Sequence, residues 1–262
     1  MRRTELIHPT ALVGEKVRLG ANVSIGPWSQ ISGDVVIGEN TVIGSNCIIY
    51  GPTAFGCDNK IHSFSAIGTN PQDKKFKETD ESRLVIGDRN TIREYSSINR
   101  GTEHGGGITR VGNDNLIMAY CHIAHDCQIG NNIVFSNNTT LAGHVIVGDH
   151  VTLGGFTGIH QFCHLGEGCF SAISSIITKD IPPFITVKGN PATPRCINKI
   201  GLQRRGYSQD EMNSLRKCFR ILYLQSNSLE RAIQKIDSEI DKHKVVQKFR
   251  DFVTESDRGI AR

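Results

Sequence analysis

The sequence predicts a triangular prism of short parallel β-strands followed by an α-helical tail. Three observations predict it. Large apolar residues recur every sixth position from Val13 to Ile177, glycine often follows them directly, and beyond Ile181-Pro182-Pro183 the period gives way to helical spacing. A period of six is neither the 3.6 of a helix nor the 2 of an open strand. It fits two- or three-residue strands joined by tight corners, one large side chain per strand pointing inward.

The elements follow in order. Val13, Leu19, Ile25, Ile31, Ile37, Ile43, Ile49, Phe55, Ile61 and Ile67 keep the spacing without a slip. Residues 69–85 break it. Ile86, Ile92 and Ile98 resume it, about 99–110 break it again, and it then runs from Val111 to Ile177 with one polar member, Ser171. The two breaks read as loops extruded from corners. Position i−2 also faces inward by strand alternation, and its residues are small, such as Ser29, Thr41 and Ser65. Cys47, Cys121, Cys127, Cys163 and Cys169 occupy that slot and read as buried packing residues, poor nucleophiles. Three strands close a coil of 18 residues, and about eight coils spaced ~4.8 Å apart give a prism roughly 40 Å tall. We divide the chain into a prism over 1–181 and a helical domain over 182–262. In the latter, Gly189 to Pro194 reads as an irregular link. Ser208-Gln209-Asp210-Glu211 has capping-box form ahead of Met212, Leu215 and Phe219. Further helices are expected from Ser228, with Ile233 and Ile236, and around Val245, Phe249 and Val253.

Composition narrows the function. The chain has 262 residues and a formal charge of +4, too mild for nucleic acid as main partner. No apolar stretch is long enough for a membrane span. The start, Met1 to Pro9, lacks the apolar core of an export signal. Eight cysteines without a C-x-x-C are then expected reduced, in a cytoplasm.

The 18-residue coil also predicts which residues stack. Ala124, Ala142 and His160 form one column, His125, Gly143 and Gln161 the next, and Asp126, His144 and Phe162 a third. With His122 nearby, four His, an Asp and a Gln gather on one corner. His104, His150 and His164 have no such company and read as surface residues. A His beside an Asp suits a general base. Gly143, stacked on His125, leaves an N–H accessible to an oxyanion. That combination points to direct acyl transfer to a hydroxyl. A zinc site held by three His is the rival reading, and a structural solenoid without catalysis is a third.

The six-residue pattern resembles the left-handed parallel β-helix of the hexapeptide-repeat acyltransferases, and handedness is taken from that resemblance. Ile123-Ala124-His125-Asp126-Cys127, Leu141-Ala142-Gly143-His144-Val145, His160-Gln161-Phe162-Cys163 and Gly201-Leu202-Gln203-Arg204-Arg205-Gly206 together resemble the acyl-carrier-protein:UDP-N-acetylglucosamine O-acyltransferases of lipid A biosynthesis. Arg100-Gly101-Thr102, Gly105-Gly106-Gly107 and Asp257-Arg258-Gly259 agree. The resemblance implies roles. His125 is the base that takes the proton of the glucosamine 3-hydroxyl, Asp126 orients it, and the Gly143 amide holds the thioester oxyanion. Asp73, in Gln72-Asp73-Lys74-Lys75, contacts the sugar, Lys75 binds substrate, and His122, His144, His160 and Gln161 match substrate-contacting positions. Asn198, Arg204 and Arg205 take the nucleotide end, although Ile200 stands where some members carry Glu. Phe170 and Ile173 lie in the stretch that sets acyl-chain length. The same resemblance implies a homotrimer in the cytoplasm, with active sites between prisms and neither metal nor other cofactor. Its partners are acyl carrier protein, whose phosphopantetheine thioester is co-substrate, and UDP-N-acetylglucosamine. Arg204, Arg205, Arg216, Lys217 and Arg220 offer the acidic carrier a basic dock. A related N-acyltransferase acting on an amino sugar, or a zinc-dependent carbonic-anhydrase-like prism, are the alternatives.

Overall fold

A computed structural model describes residues 6–241 and 243–262. Met1 to Glu5, where no export signal is expected, lie outside them. The chain winds as a parallel β-helix with three faces of nine, eight and ten strands, and consecutive strands pass from face to face. Register follows the 18-residue coil: His122 pairs with Thr140, and Thr140 with Gly158. The inward column from Ile25 to Ile177 is buried throughout. Only Val13 is exposed and Leu19 half-buried, because they sit on the open end of the prism with no coil beneath them.

The i−2 residues do more than fill space. Ser65 and Thr139 donate hydroxyl bonds to the corner carbonyls of His62 and Ser136. The thiols of Cys47, Cys121 and Cys127 reach carbonyls of the next coil, at 3.2–3.3 Å. Where the slot carries a donor, it meets a corner carbonyl that has no ladder partner; at Val23, Val35, Ile133, Val145 and Val151 it is filled by apolar side chains alone. On the third face the slot holds Asn59, Asn90 and Asn115, all buried, each amide bridging consecutive coils.

Both loops leave the prism at the same corner, between the first and second faces. One joins Ala66–Thr69 to Arg83–Ile86, the other Ser97–Asn99 to Ile108–Val111. Asn99 donates to the Asn70 carbonyl (3.0 Å), and the Arg100 guanidinium lies over Phe76 at 5.4 Å, so the second loop supports the first.

The sheet continues past the point where the period stops. Ile185–Lys188 pairs in parallel with Phe170–Ser171, and Thr193–Ile197 returns antiparallel to it. The prolines interrupt the spacing, but Ile185 and Val187 still alternate inward and are buried. The stretch read as an irregular link is thus partly the turn of a hairpin. Helix α1 (Lys199–Arg204) follows, then α2 (Gln209–Phe219), α3 (Leu229–Glu239) and α4 (Lys244–Glu255). Helix α2 opens with both bonds of the Ser208–Glu211 capping box and runs into a wider π-turn at Arg220–Leu224. Ser208 donates to Glu211 from both its backbone and its hydroxyl, which holds that carboxyl below its usual range.

Candidate active site

The corner that extrudes the loops also carries the histidines. Its third residue in successive coils is Asp126, His144 and Phe162, with φ of 61°, 61° and 63°. Left-handed backbone is uncommon for side chains with a Cβ, and Asp and His tolerate it better than most. The turn makes room for His144 and Phe162 to stack at 4.4 Å, while His125 meets His144 edge-on at 5.1 Å.

Asp126 is the most constrained group. It is buried, and its carboxylate accepts from the Thr102 N–H (2.9 Å), the Thr102 hydroxyl (2.6 Å) and His125 Nδ1 (2.7 Å). Burial alone would raise its pKa; the His125 and Thr102 hydrogen bonds outweigh that and hold it below the ordinary value. An ionised carboxylate only accepts, so His125 carries its proton on Nδ1 and turns a free Nε2 lone pair outward. A Cβ on Gly143 would come within 2.6 Å of His125 Cε1 and 2.8 Å of Nε2, so only glycine lets the imidazole lie there. Ala142 and His144 donate their N–H groups to backbone carbonyls, whereas the Gly143 N–H has no partner among the described residues.

Two adjoining clefts of about 530 and 770 Å³ open beside this pair. The first is lined by His122, His125, Gly143, His160 and Gln161; the second by Asp73, Lys75, His104, His125, His144 and Gln161. His122 is half-buried with Nδ1 2.7 Å from Ser97 Oγ, and burial, then the nearby His125, press its pKa down. Burial lowers that of His144 as well, against the opposing charge of Asp126. A backbone bond from Lys75 holds the Asp73 carboxyl below its usual range. Buried Cys127 is pushed up to about 12 by desolvation, out of reach of thiolate chemistry near neutrality.

Three residues acquire roles that spacing did not suggest. Thr102 holds the carboxylate. His104, read as a surface residue, faces Asp73 at 3.2 Å. Arg258, from the far end of the chain, meets His160 Nδ1 at 2.8 Å and donates to the Thr178 carbonyl at 3.1 Å. A guanidinium only donates, so His160 Nδ1 accepts and its proton sits on Nε2. The Gln161 carbonyl oxygen, 3.1 Å from the same nitrogen, competes there, and the shorter charged contact decides the tautomer. His164, also read as surface, packs against Phe252 of α4 at 4.6 Å.

Other residues singled out from the sequence lie outside these clefts. Asn198 caps α1, accepting from Gly201 N–H and donating to the Gly168 carbonyl, both at 3.0 Å. Arg205 binds Glu167 (2.9 Å) and lies over Phe184 and Tyr207. Arg204 is exposed. Ile173, 66% exposed, sits on the corner between third and first faces, with Phe170 on the strand leading to it.

His125, Asp126 and His144 are also the group whose ligand atoms converge, within 4.8 Å. Two ligands on a tetrahedral zinc stand about 3.3 Å apart, from bonds of about 2.0–2.2 Å. The 2.7 Å between His125 Nδ1 and Asp126 is too short for that and suits a shared proton, and Thr102 already uses the other carboxylate positions. The donor set does not fit zinc.

Comparison with known proteins places this arrangement among others. Residues 180–261 match the model for the second domain of UDP-N-acetylglucosamine O-acyltransferase, and residues 7–51 and 108–143 match the bacterial transferase hexapeptide repeat. The acyl-[acyl-carrier-protein]–UDP-N-acetylglucosamine O-acyltransferases of Thiobacillus denitrificans and Halorhodospira halophila are each 47% identical, over 98% of this chain and 99% of theirs. Among solved structures, the UDP-N-acetylglucosamine acyltransferases of Francisella novicida (39% identity, TM-score 0.93, 98% of this chain and 94% of that one) and Campylobacter jejuni (42%, 0.90, 97% and 98%) superpose along the whole length. The fold is the left-handed parallel β-helix with a helical C-terminal domain.

Proposed function

The chain belongs to the acyl-[acyl-carrier-protein]–UDP-N-acetylglucosamine O-acyltransferase family, and from that premise we propose that it transfers a 3-hydroxyacyl chain from acyl carrier protein to the 3-hydroxyl of UDP-N-acetylglucosamine, the first step of lipid A biosynthesis. One observation carries the mechanism: His125 donates its Nδ1–H to a buried carboxylate already held by Thr102 and turns a free Nε2 toward the cleft. That nitrogen removes the proton of the sugar hydroxyl as the oxygen attacks the thioester carbonyl. Asp126 stabilises the resulting imidazolium. The unpartnered Gly143 N–H receives the oxyanion. Collapse breaks the carbon–sulfur bond, and the imidazolium returns its proton to the departing phosphopantetheine thiolate. The reaction needs neither metal nor further cofactor.

Asp73, Lys75, His122, His144, His160 and Gln161 line the two clefts and are assigned to the sugar and the thioester. Asn198, Arg204 and Arg205 are assigned to the nucleotide. Because they lie outside the clefts, we place them at a site shared with a neighbouring prism in a homotrimer. The exposed stack of Phe64, Tyr95 and Tyr120 along one corner supports that assembly, since three exposed aromatics in a row call for cover. Arg216, Lys217 and Arg220 on and after α2 are assigned to the acidic carrier. All eight cysteines are free, as suits the cytoplasm.

The test is His125→Ala assayed with acyl carrier protein thioester and UDP-N-acetylglucosamine. Loss of a general base costs about 10²–10⁴-fold, with the circular dichroism of the prism retained. Near-normal turnover by the folded variant overturns the assignment.

A further inference from the structure

We propose that His104 is a positioning residue: it holds the Asp73 carboxylate, and with it the sugar-contacting end of the first loop, at a fixed place relative to the His125–Asp126 pair. The proposal rests on the assignment of Asp73 to the sugar. Asp73 accepts the Lys75 N–H at Oδ1 (2.9 Å), a bond within its own loop. Its other oxygen faces His104 Nε2 at 3.2 Å, across to the second loop. His104 is the middle residue of a one-turn 3-10 helix, Glu103–Gly105, capped by the Thr102 hydroxyl, which accepts from the Gly105 N–H at 3.1 Å. Thr102 also holds Asp126 with both its N–H and its hydroxyl. Gly105 presses on the same carboxylate so closely that a Cβ there would lie within 2.6 Å of His144 Cε1 and nearer still to Asp126. One rigid turn thus joins Asp126 at its cap to Asp73 at its middle.

The remaining supports of the first loop act elsewhere. Asn99 holds its base at Asn70, and Arg100 packs on Phe76. Removing the imidazole therefore releases the Asp73 carboxylate from the second loop, leaving it only its Lys75 bond, without freeing the first loop. Lys74 and Lys75 line the same cleft and supply positive charge beside the carboxylate. A carboxylate that must be ordered as substrate arrives weakens binding of that substrate and leaves the chemical step alone.

The experiment measures steady-state kinetics of the full-length protein with UDP-N-acetylglucosamine varied. In His104→Ala, KM for the sugar nucleotide is expected to rise about fivefold to tenfold, with kcat within about twofold. His104→Gln, whose side-chain amide offers a donor in place of Nε2–H, is expected to restore most of the loss. In an Asp73→Ala background, His104→Ala should add nothing further. Multiplying effects in the double variant would show that His104 acts on substrate independently of Asp73 and overturn the proposal. So would an unchanged KM in His104→Ala when Asp73→Ala raises it. If Asp73→Ala itself leaves KM unchanged, the assignment of Asp73 fails first and takes the proposal with it.

Discussion

His122 and His144 show how one cleft keeps several imidazoles side by side. Both are half-buried, and burial holds each pKa below the ordinary His value. Neutral rings lower the repulsion that His125 meets when it gains a proton. The arrangement has a consequence for stability. In the unfolded chain these rings take protons near pH 6.5; in the folded chain they resist. Protonation therefore favours unfolding as pH falls below about 6.5, and the contribution is intact above it. Asp126 acts in a separate, lower window: its depressed value means that its stabilisation disappears only as pH falls below the normal carboxylate range. The expected outcome is a thermal midpoint that declines between pH 7 and 5.5, with a shallower decline in His122→Gln. Melting curves across that range decide the matter, and an identical slope in the variant would sink the explanation.

At the scale of the element, the corner was legible and the loops were not. One large apolar residue per six gives each strand its inward side chain, and the 18-residue register follows from three strands per coil. That is why the neighbours of His125 and Asp126 could be found by addition alone. Residues 69–85 and 99–110 break the count, so the column rule says nothing about who meets His104 or Thr102. Arg258 escapes for a different reason: it reaches His160 from a helical domain whose docking no periodicity encodes. The hairpin at Ile185–Lys188 was hidden by Pro182-Pro183, which removes the spacing although the sheet goes on. Within the regular coils, the i−2 slot read as small, and the donor that its Ser, Thr, Cys and Asn members offer to corner carbonyls emerged only in three dimensions. Asn90 tests that property. Its amide donates to Asn59 Oδ1 (3.1 Å) and the Gly112 carbonyl (2.9 Å), and its own oxygen accepts the Asn115 N–H (3.0 Å). Asn90→Ala strands buried groups on both sides, each worth about 1–3 kcal/mol. We expect a loss of roughly 2–4 kcal/mol by urea unfolding with KM unaltered. A variant as stable as the parent would show that these amides are filler.

The whole molecule brings together what one chain keeps apart. His125 lies on the corner between the first and second faces, and the outward side of the first face supplies Gly158 and Ile176 to its cleft. Ile173 lies on the opposite corner of that face, exposed, on the same corner as the line of Phe64, Tyr95 and Tyr120 but three coils beyond Tyr120. In the proposed trimer this corner meets a neighbour, so Ile173 of one copy faces the cleft of another. Its column holds Asn137, Gly155 and then Ile173, in the stretch to which the family resemblance assigns acyl-chain length. We propose that a branched four-carbon group there closes the groove early. Each methylene gains roughly 0.8 kcal/mol when buried, but one that collides with a fixed side chain loses that gain and adds strain. The preferred chain is therefore expected to be shorter than with glycine at this place. Ile173→Gly, assayed against a series of acyl carrier protein thioesters, should move the preference two or more carbons longer and leave the pH dependence untouched. Tyr95→Asp, placing a charge in the aromatic line, should lower the trimer fraction in sedimentation and lose activity with every chain length alike. The two variants separate a ruler from a seam: a change in selectivity belongs to Ile173, a uniform loss belongs to assembly. If Ile173→Gly behaves like Tyr95→Asp, the residue packs prisms together and measures nothing.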